Sequence, residues 1–405
     1  MDADGDIDVL VAFDGRDKLF VNDGSGVFTE EAVVRGMAVY SDLSFACQWV
    51  DVDGDGDLDA HVVVQIFSNE LYINDGSGSF TEEGTSRGLH NIASTISAMW
   101  ADVDGDGDVD CLALNYAAAN VLHLNDGAGV FAEFTSTAGF TDALMSRYGA
   151  AADVDGDGDV DFVVLNDNAA GQVFVNDGGG VFAEDGAARG FSPVTDRASV
   201  RAADVNSDGH VDLVVMLFDA PVVYLNSGWG VFTTTDVGFL DATGTQRGFV
   251  MVDFEHDGDV DLFSATMSGA AYMWSNSWPS PTYRYTSIEF GVTDEATAWA
   301  ASAADFDGDG DLDVLLSESG VLHVNYNARP AVANWVKIRP LTAAGAPSAF
   351  GATVRMACVA GCAREWAAVR VVDGGGARGQ SGYDAHFGLP TPTLSAFNAT
   401  VAWPG

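Results

Sequence analysis

Basic side chains are scarce in this 405-residue chain. Seventeen Lys and Arg, among them only two lysines (Lys18 and Lys337), face 60 Asp and Glu, for a formal net charge of -43. Nothing here could neutralise a phosphate backbone, so an electrostatic nucleic-acid binder is excluded. Long apolar runs are missing too. Aliphatic stretches stop at four to six residues, well short of the ~20 that a membrane-spanning helix needs. Apolar residues at 3.6 spacing are absent, which removes helical solenoids. Disorder is excluded by a hydrophobic fraction of 47%, more than a charged, unfolding chain carries.

What is there is acid, and it is concentrated. Seven short clusters hold 32 of the 60 acidic residues, and outside them 28 acidic residues face 17 basic ones. A halophile surface would spread its acids. This chain gathers them into loops.

Those loops repeat. They read DVDGDGDLD (51–59), DVDGDGDVD (102–110), DVDGDGDVD (153–161), DVNSDGHVD (204–212), DFEHDGDVD (253–261) and DFDGDGDLD (305–313), with a shortened DADGDID (2–8) ahead of them. Successive starts lie 51, 51, 51, 49 and 52 residues apart, and the short copy fits 51 before the first. A second marker keeps phase: NDGSGVF (22–28), NDGSGSF (74–80), NDGAGVF (125–131), NDGGGVF (176–182) and NSGWGVF (226–232), continued more weakly at Asn276 and Asn325. Such Asn-Gly and Asp-Gly turns between apolar runs signal hairpins. Short β-branched runs lie between the markers (Val62–Val64, Phe162–Leu165, Leu213–Met216) and before each cluster, as at Phe45–Val50. Four short strands per period of ~40–50 residues is the pattern of a β-propeller blade. The sequence therefore predicts an all-β chain: a seven-bladed β-propeller with calcium loops over 1–328, then a small β-rich domain over 329–405.

Numbered from the first Asp, each full loop offers oxygen at positions 1, 3, 5 and 9, Gly at 6, and a further polar side chain at 7. The candidate metal ligands are Asp51, Asp53, Asp55, Asp57 and Asp59 in loop two; Asp102, Asp104, Asp106, Asp108 and Asp110 in loop three; Asp153, Asp155, Asp157, Asp159 and Asp161 in loop four. Loop five offers Asp204, Asn206, Asp208, His210 and Asp212; loop six Asp253, Glu255, Asp257, Asp259 and Asp261; loop seven Asp305, Asp307, Asp309, Asp311 and Asp313. The shortened loop one keeps Asp2, Asp4, Asp6 and Asp8. A hard cation explains the set: Ca²⁺ takes 6–8 oxygens, and a loop wrapped round it turns sharply at position 6. Position 7 alternates between Asp and His210, as expected where its backbone carbonyl is the ligand. The bland reading, solvated Asp-Gly turns, leaves crowded carboxylates uncompensated. An EF-hand is disfavoured because position 12 is Val62 or Val164, where that motif needs a Glu. Tandem nonapeptide repeats are disfavoured because their Asp recur every nine residues. Mg²⁺ prefers to keep its waters. The expectation is four or more Ca²⁺ and at most seven, weaker in loops five and six.

These loops, with the downstream Asn-Asp-Gly-x-Gly-x-Phe, resemble FG-GAP/VCBS repeats, the calcium-loop blades of integrin-α-type propellers, over residues 1 to about 328. The resemblance implies structural calcium in each blade and partners met on the opposite face or rim. Gly351–Val354, the Gly-rich stretch running into Gln380-Ser381, Ala385–Leu389 and Val401–Pro404 resemble the ASPIC/UnbV domain, which follows such repeats in the cartilage acidic protein family. That pairing implies an extracellular, matrix-associated or glycosylated protein and supplies no catalytic residues.

Several smaller readings remain. His386 in an apolar strand end reads as a packed structural residue. Gly374–Gly376 reads as a plain turn, since no Lys-Ser/Thr follows to make a phosphate loop. Cys358 and Cys362 are placed for a disulfide across a short turn, with free thiols or a metal site as alternatives. Cys47 and Cys111 read as buried thiols, and Asn398-Ala399-Thr400 as a glycosylation sequon. The chain opens inside a loop, which suggests a longer secreted protein truncated at its amino terminus.

Three functions follow. The leading one is a non-enzymatic extracellular calcium-binding adhesion or protein-interaction module, whose partner is an extracellular protein or glycan. A carbohydrate-binding propeller is the alternative, on the aromatics Trp229, Trp274, Trp278, Tyr283 and Tyr285. An enzyme is third, because the histidines form no recurring pair and no nucleophile or zinc spacing appears.

Overall fold

Each repeat lays down an antiparallel sheet by the same local logic. In the second repeat Ser44–Val50 runs into the acidic loop and returns as Asp59–Val64, paired from Val50 opposite Asp59 to Ser44 opposite Val64. Glu70–Asn74 pairs next, and the Asn-Asp-Gly-Ser-Gly-Ser turn leads from it to the short outer strand Phe80–Glu82. The Asn74 side-chain oxygen accepts from the amides of Gly76 (3.2 Å) and Gly78 (3.0 Å). Both glycines have positive φ, +79° and +75°, the region where L side chains are strained.

The second strand of the blade is buried along its whole length in the second, third, fourth, fifth and sixth repeats. That explains its β-branched run: both faces pack, so alternation is lost. The outermost strands are only three or four residues long in repeats one to five, a short edge that resists pairing with other chains.

The computed structural model describes all residues except 3, 14, 38–42, 66–67, 91–92, 168, 194–197, 218–220, 240–245, 267–270, 278–281, 286–297, 319–320, 328–334, 342–349, 351, 361–366, 373–383, 390–395 and 404–405. The fold is a seven-bladed β-propeller followed by a small β-rich domain. Blades two to six have four strands, in sequence order across each sheet; blades one and seven show three among the described residues. The first strands of blades two to seven touch in succession. The ring closes on itself where Phe28 of blade one meets Phe306 of loop seven edge-on at 6.0 Å. Val9, Val11, Ala304 and Leu315 complete that seam. Among the described residues one helical turn, Thr135–Ala138 in blade three, interrupts the all-β pattern and ends at Gly139 with φ 96°.

In the carboxyl-terminal domain Trp335–Ile338 pairs with Ala385–Gly388, and Thr353–Ala360 lies between Ala367–Val371 and Ala396–Ala402. This domain packs onto the propeller. Phe350, Ala352 and Val372 share a core with Val50, Val52 and Trp100, and Val369 joins one with Val154 and Val211.

Candidate metal centres

In blades two to seven the acidic loop links the first two strands, and its last Asp is already the first residue of the second strand. In loop two, Asp51 accepts from the amides of Gly54 (2.8 Å) and Gly56 (2.9 Å). Asp59 accepts from Val52 (3.0 Å) with one oxygen and Asn74 (2.8 Å) with the other. Asp55 accepts from Asp57, two residues on. These bonds hold the carboxylates in place and leave oxygens facing a common point.

Among the described residues five such groups form: Asp2, Asp4 and Asp8; Asp51, Asp53 and Asp59; Asp102, Asp104 and Asp110; Asp153, Asp155 and Asp161; Asp305, Asp307 and Asp313. Within each, one oxygen per residue lies within 4.8 Å of the others, the widest span that ligands at roughly 2.4 Å from one Ca²⁺ could have. Each group also holds a buried carboxylate oxygen with no hydrogen-bond partner: Oδ1 of Asp2, Asp53, Asp104, Asp155 and Asp305. Buried oxygens are rarely left so, and a cation is the partner that suits an acceptor-only group. The donor set therefore fits a hard divalent ion in loops one, two, three, four and seven.

The electrostatics agree. Burial pushes Asp59 and Asp161 up to about 7 and Asp110 to about 8, against the pull of their backbone hydrogen bonds, with neighbouring carboxylates adding to the rise. Asp51 and Asp102 are pushed to about 6, again by burial first. Carboxyls that resist ionising together are relieved by a cation between them.

The other candidate ligands lie outside these groups. Position 5 in loops two, three, four and seven (Asp55, Asp106, Asp157, Asp309) accepts from the position-7 amide. Position 7 lies over its own blade's turn: a Cβ on Gly24, Gly76, Gly127, Gly178 or Gly228 would come within 2.4–2.7 Å of Asp6, Asp57, Asp108, Asp159 or His210. The first glycine of each turn makes room for that side chain. In loop five Asn206 donates to Asp208 at 2.8 Å, and in loop six Glu255 accepts from the Ser275 hydroxyl. Neither loop brings three carboxylates together as the others do. At position 4, where loops two, three, four and seven have glycine with φ of 70–82°, loops five and six hold Ser207 (φ 54°) and His256 (φ 58°).

Two recurring devices escaped the sequence reading. The marker Asn joins adjacent blades: its side-chain amide donates to the position-2 carbonyl of the preceding loop. The pairs are Asn22 to Phe306, Asn74 to Met1, Asn125 to Val52, Asn176 to Val103, Asn226 to Val154, Asn276 to Val205 and Asn327 to Phe254, all at 2.7–3.1 Å. In blade seven the residue is Asn327, not Asn325. Counting 14 or 15 residues from position 9 finds it, because its own amide must reach that Asp, as Asn327 reaches Asp313 at 2.8 Å. The second device is the Arg-Gly pair at 35–36, 87–88 and 189–190. Arg35, Arg87 and Arg189 bind Asp2, Asp53 and Asp155 at position 3 of their own loops (2.9, 3.3 and 3.1 Å). Each also donates to a carbonyl in the next blade's turn.

A repeated Asp loop, set between the first two strands of blades two to seven and bound by Asn to its neighbour, has a known counterpart. The FG-GAP-like repeat pattern matches residues 1–62, 65–113, 102–164, 153–215 and 253–316, more than half of the chain. The chain belongs to the FG-GAP-like repeat family. Along most of its length this FG-GAP chain is similar to cartilage acidic protein 1, with 26% identity to the Mus musculus protein and 25% to that of Homo sapiens over 96% of the chain. It spans about three fifths of those curated relatives, 59% and 58%. Its fold resembles that of an Agrocybe aegerita lectin which recognises non-reducing terminal N-acetylglucosamine (TM-score 0.54, 16% identity, 80% of this chain and 91% of that one). It also resembles BBS1N in complex with ARL6DN (TM-score 0.52, 11% identity, 81% and 89%).

The remaining candidates are placed as follows. Trp274 and Tyr283 are core residues: Trp274 stacks on Tyr272 at 5.3 Å, and the Tyr283 hydroxyl donates to Val260 at 2.9 Å. Trp229 is 78% exposed, while Trp278 and the Tyr285 side chain lie outside the described residues. His386 is buried against Trp335, and burial pushes it down to about 3, so it is neutral. Cys111 is buried and Cys47 half-buried, neither in a disulfide, and the Cys47 thiol donates to the Leu10 carbonyl at 3.3 Å; the Cys358 and Cys362 side chains lie outside the described residues. Asn398 and Thr400 are exposed in the final strand. No helix among the described residues is long and apolar enough to cross a membrane.

Proposed function

We infer that this chain is a calcium-stabilised interaction module that works outside the cell without catalysing a reaction. Residues 1–328 form its propeller and 329–405 its carboxyl-terminal domain. One observation carries the calcium reading: five acidic groups, each with a buried carboxylate oxygen that no protein atom satisfies. Millimolar extracellular calcium suits such all-oxygen loops. The likeness to cartilage acidic protein 1 supports adhesion or matrix contact through an extracellular protein or glycan. Protein partners are favoured over sugar, because Trp274 and Tyr283, two of the rings on which the sugar reading rested, are spent on the core.

The test is metal analysis and melting of the purified chain. Bound Ca²⁺ and a melting temperature that rises steeply with calcium, far less with magnesium, and collapses in chelator are expected. Equal melting temperatures with and without chelator would mean that the loops are solvated turns. A pull-down from extracellular matrix extract and a glycan array, both in calcium, then separate protein from sugar partners.

A further inference from the structure

The carboxyl-terminal domain meets the propeller at three successive loops in the same way. Arg355 donates to the carbonyl of Gly209 (3.3 Å), Arg370 to that of Gly258 (3.5 Å), and a ring nitrogen of His386 lies 3.3 Å from that of Gly310. These are the position-6 glycines of loops five, six and seven. Arg370 goes further. Its guanidinium stands 3.8 Å from the Asp253 carboxylate, with both side chains nearly excluded from water (11% and 0% exposed). The group is fixed from behind: its Nε donates to the His386 carbonyl at 3.1 Å, and its cation lies 4.9 Å over the Phe387 ring.

Loops five and six are also the two that gather no three converging carboxylates. Asn206 is turned onto Asp208, and Glu255 takes the Ser275 hydroxyl. We propose that Arg370 is the resident cation of loop six, so that the chain takes five calcium ions and the carboxyl-terminal domain is locked to the propeller by the charge that loop retains. The count of five rests on the calcium reading. The lock does not.

The full chain is compared with Asp253→Asn, Asp102→Asn and Arg370→Met, each saturated with calcium and counted by metal analysis. Five ions are expected in the parent, five in Asp253→Asn and four in Asp102→Asn. Arg370→Met should gain a sixth, weaker ion in loop six, while Arg370→Lys should stay at five. Six or seven ions in the parent, or the loss of one in Asp253→Asn, would overturn the inference. The near-isosteric Asp253→Asn carries the count if Arg370→Met fails to fold. The lock is read separately in chelator, from the melting temperatures of Arg370→Lys, Asp253→Asn and their combination. Non-additive losses support it, even in a protein that binds no calcium, and additive losses overturn it.

Discussion

Asn22 donates its side-chain amide to the carbonyl of Phe306, 3.0 Å away and 284 residues along the chain. The same side chain donates to Ile7 and accepts from Gly24 and Gly26. One residue thereby shapes its own turn, holds its own loop and shuts the ring. Asn22→Asp keeps the acceptors and loses the donors, leaving the Phe306 carbonyl unsatisfied beside a carboxylate. It should cost about 2 kcal/mol or more in denaturant unfolding, since removing one partner of a buried bond exposes the desolvation penalty of the other. A loss below ~0.5 kcal/mol would show that closure does not depend on this bond.

Positions 9 and 7 of a loop should respond in opposite ways. Asp59 is buried, supplies an oxygen to its group, and anchors both Val52 and Asn74. Asp59→Ala should lower calcium stoichiometry by one and destabilise the protein markedly. His210 is exposed at position 7, and His210→Ala should leave both calcium count and melting temperature nearly unchanged. A large loss on His210→Ala would assign its side chain a part that the geometry does not.

How stability varies with pH should depend on calcium. In the calcium-free protein the carboxyls of Asp59, Asp110 and Asp161 are raised to about 7, 8 and 7, above the ordinary value near 4 of an unfolded chain. Between those limits the folded state holds protons that the unfolded state has lost, so stability falls as pH rises. Melting in chelator should therefore be higher at pH 5 than at pH 8. Saturating calcium should reverse the order, because the ion demands ionised ligands. A chelated protein more stable at pH 8 would contradict this.

The Arg-Gly pair yields a backbone test. Gly88 sits at φ +84°, and a Cβ there would lie 2.3 Å from the Phe131 carbonyl of the next blade. Gly88→Ala should cost about 1–2 kcal/mol for the left-handed backbone alone, and more for the contact, since a strand carbonyl cannot swing away. A neutral result in thermal melts would mean that the blades slide.

The propeller was legible because each repeat is one supersecondary unit, and its loop, strands and turn recur at fixed spacing. The buried strand could be read directly, since position 9 starts it. Composition points to Asn325, whereas distance from Asp313 selects Asn327. Trp274 and Tyr283 looked like a sugar platform in a stretch where the turn marker fails, yet Tyr283 reaches back to Val260 and fills the core. Arg370 carries no motif at all. Its part follows from how one domain docks on another, which no local pattern encodes.

The seven asparagine bonds all run one way round the ring, from each blade to the loop behind it. A loop's second carbonyl is therefore held by its neighbour's turn, as Val52 of loop two is held by Asn125 of blade three. Whatever orders loop two, an ion included, also sets the turn of blade three, while blade two answers to loop one through Asn74 and Met1. Damage would accordingly be felt first in the blade that follows it, and order would pass around the circle in a single direction.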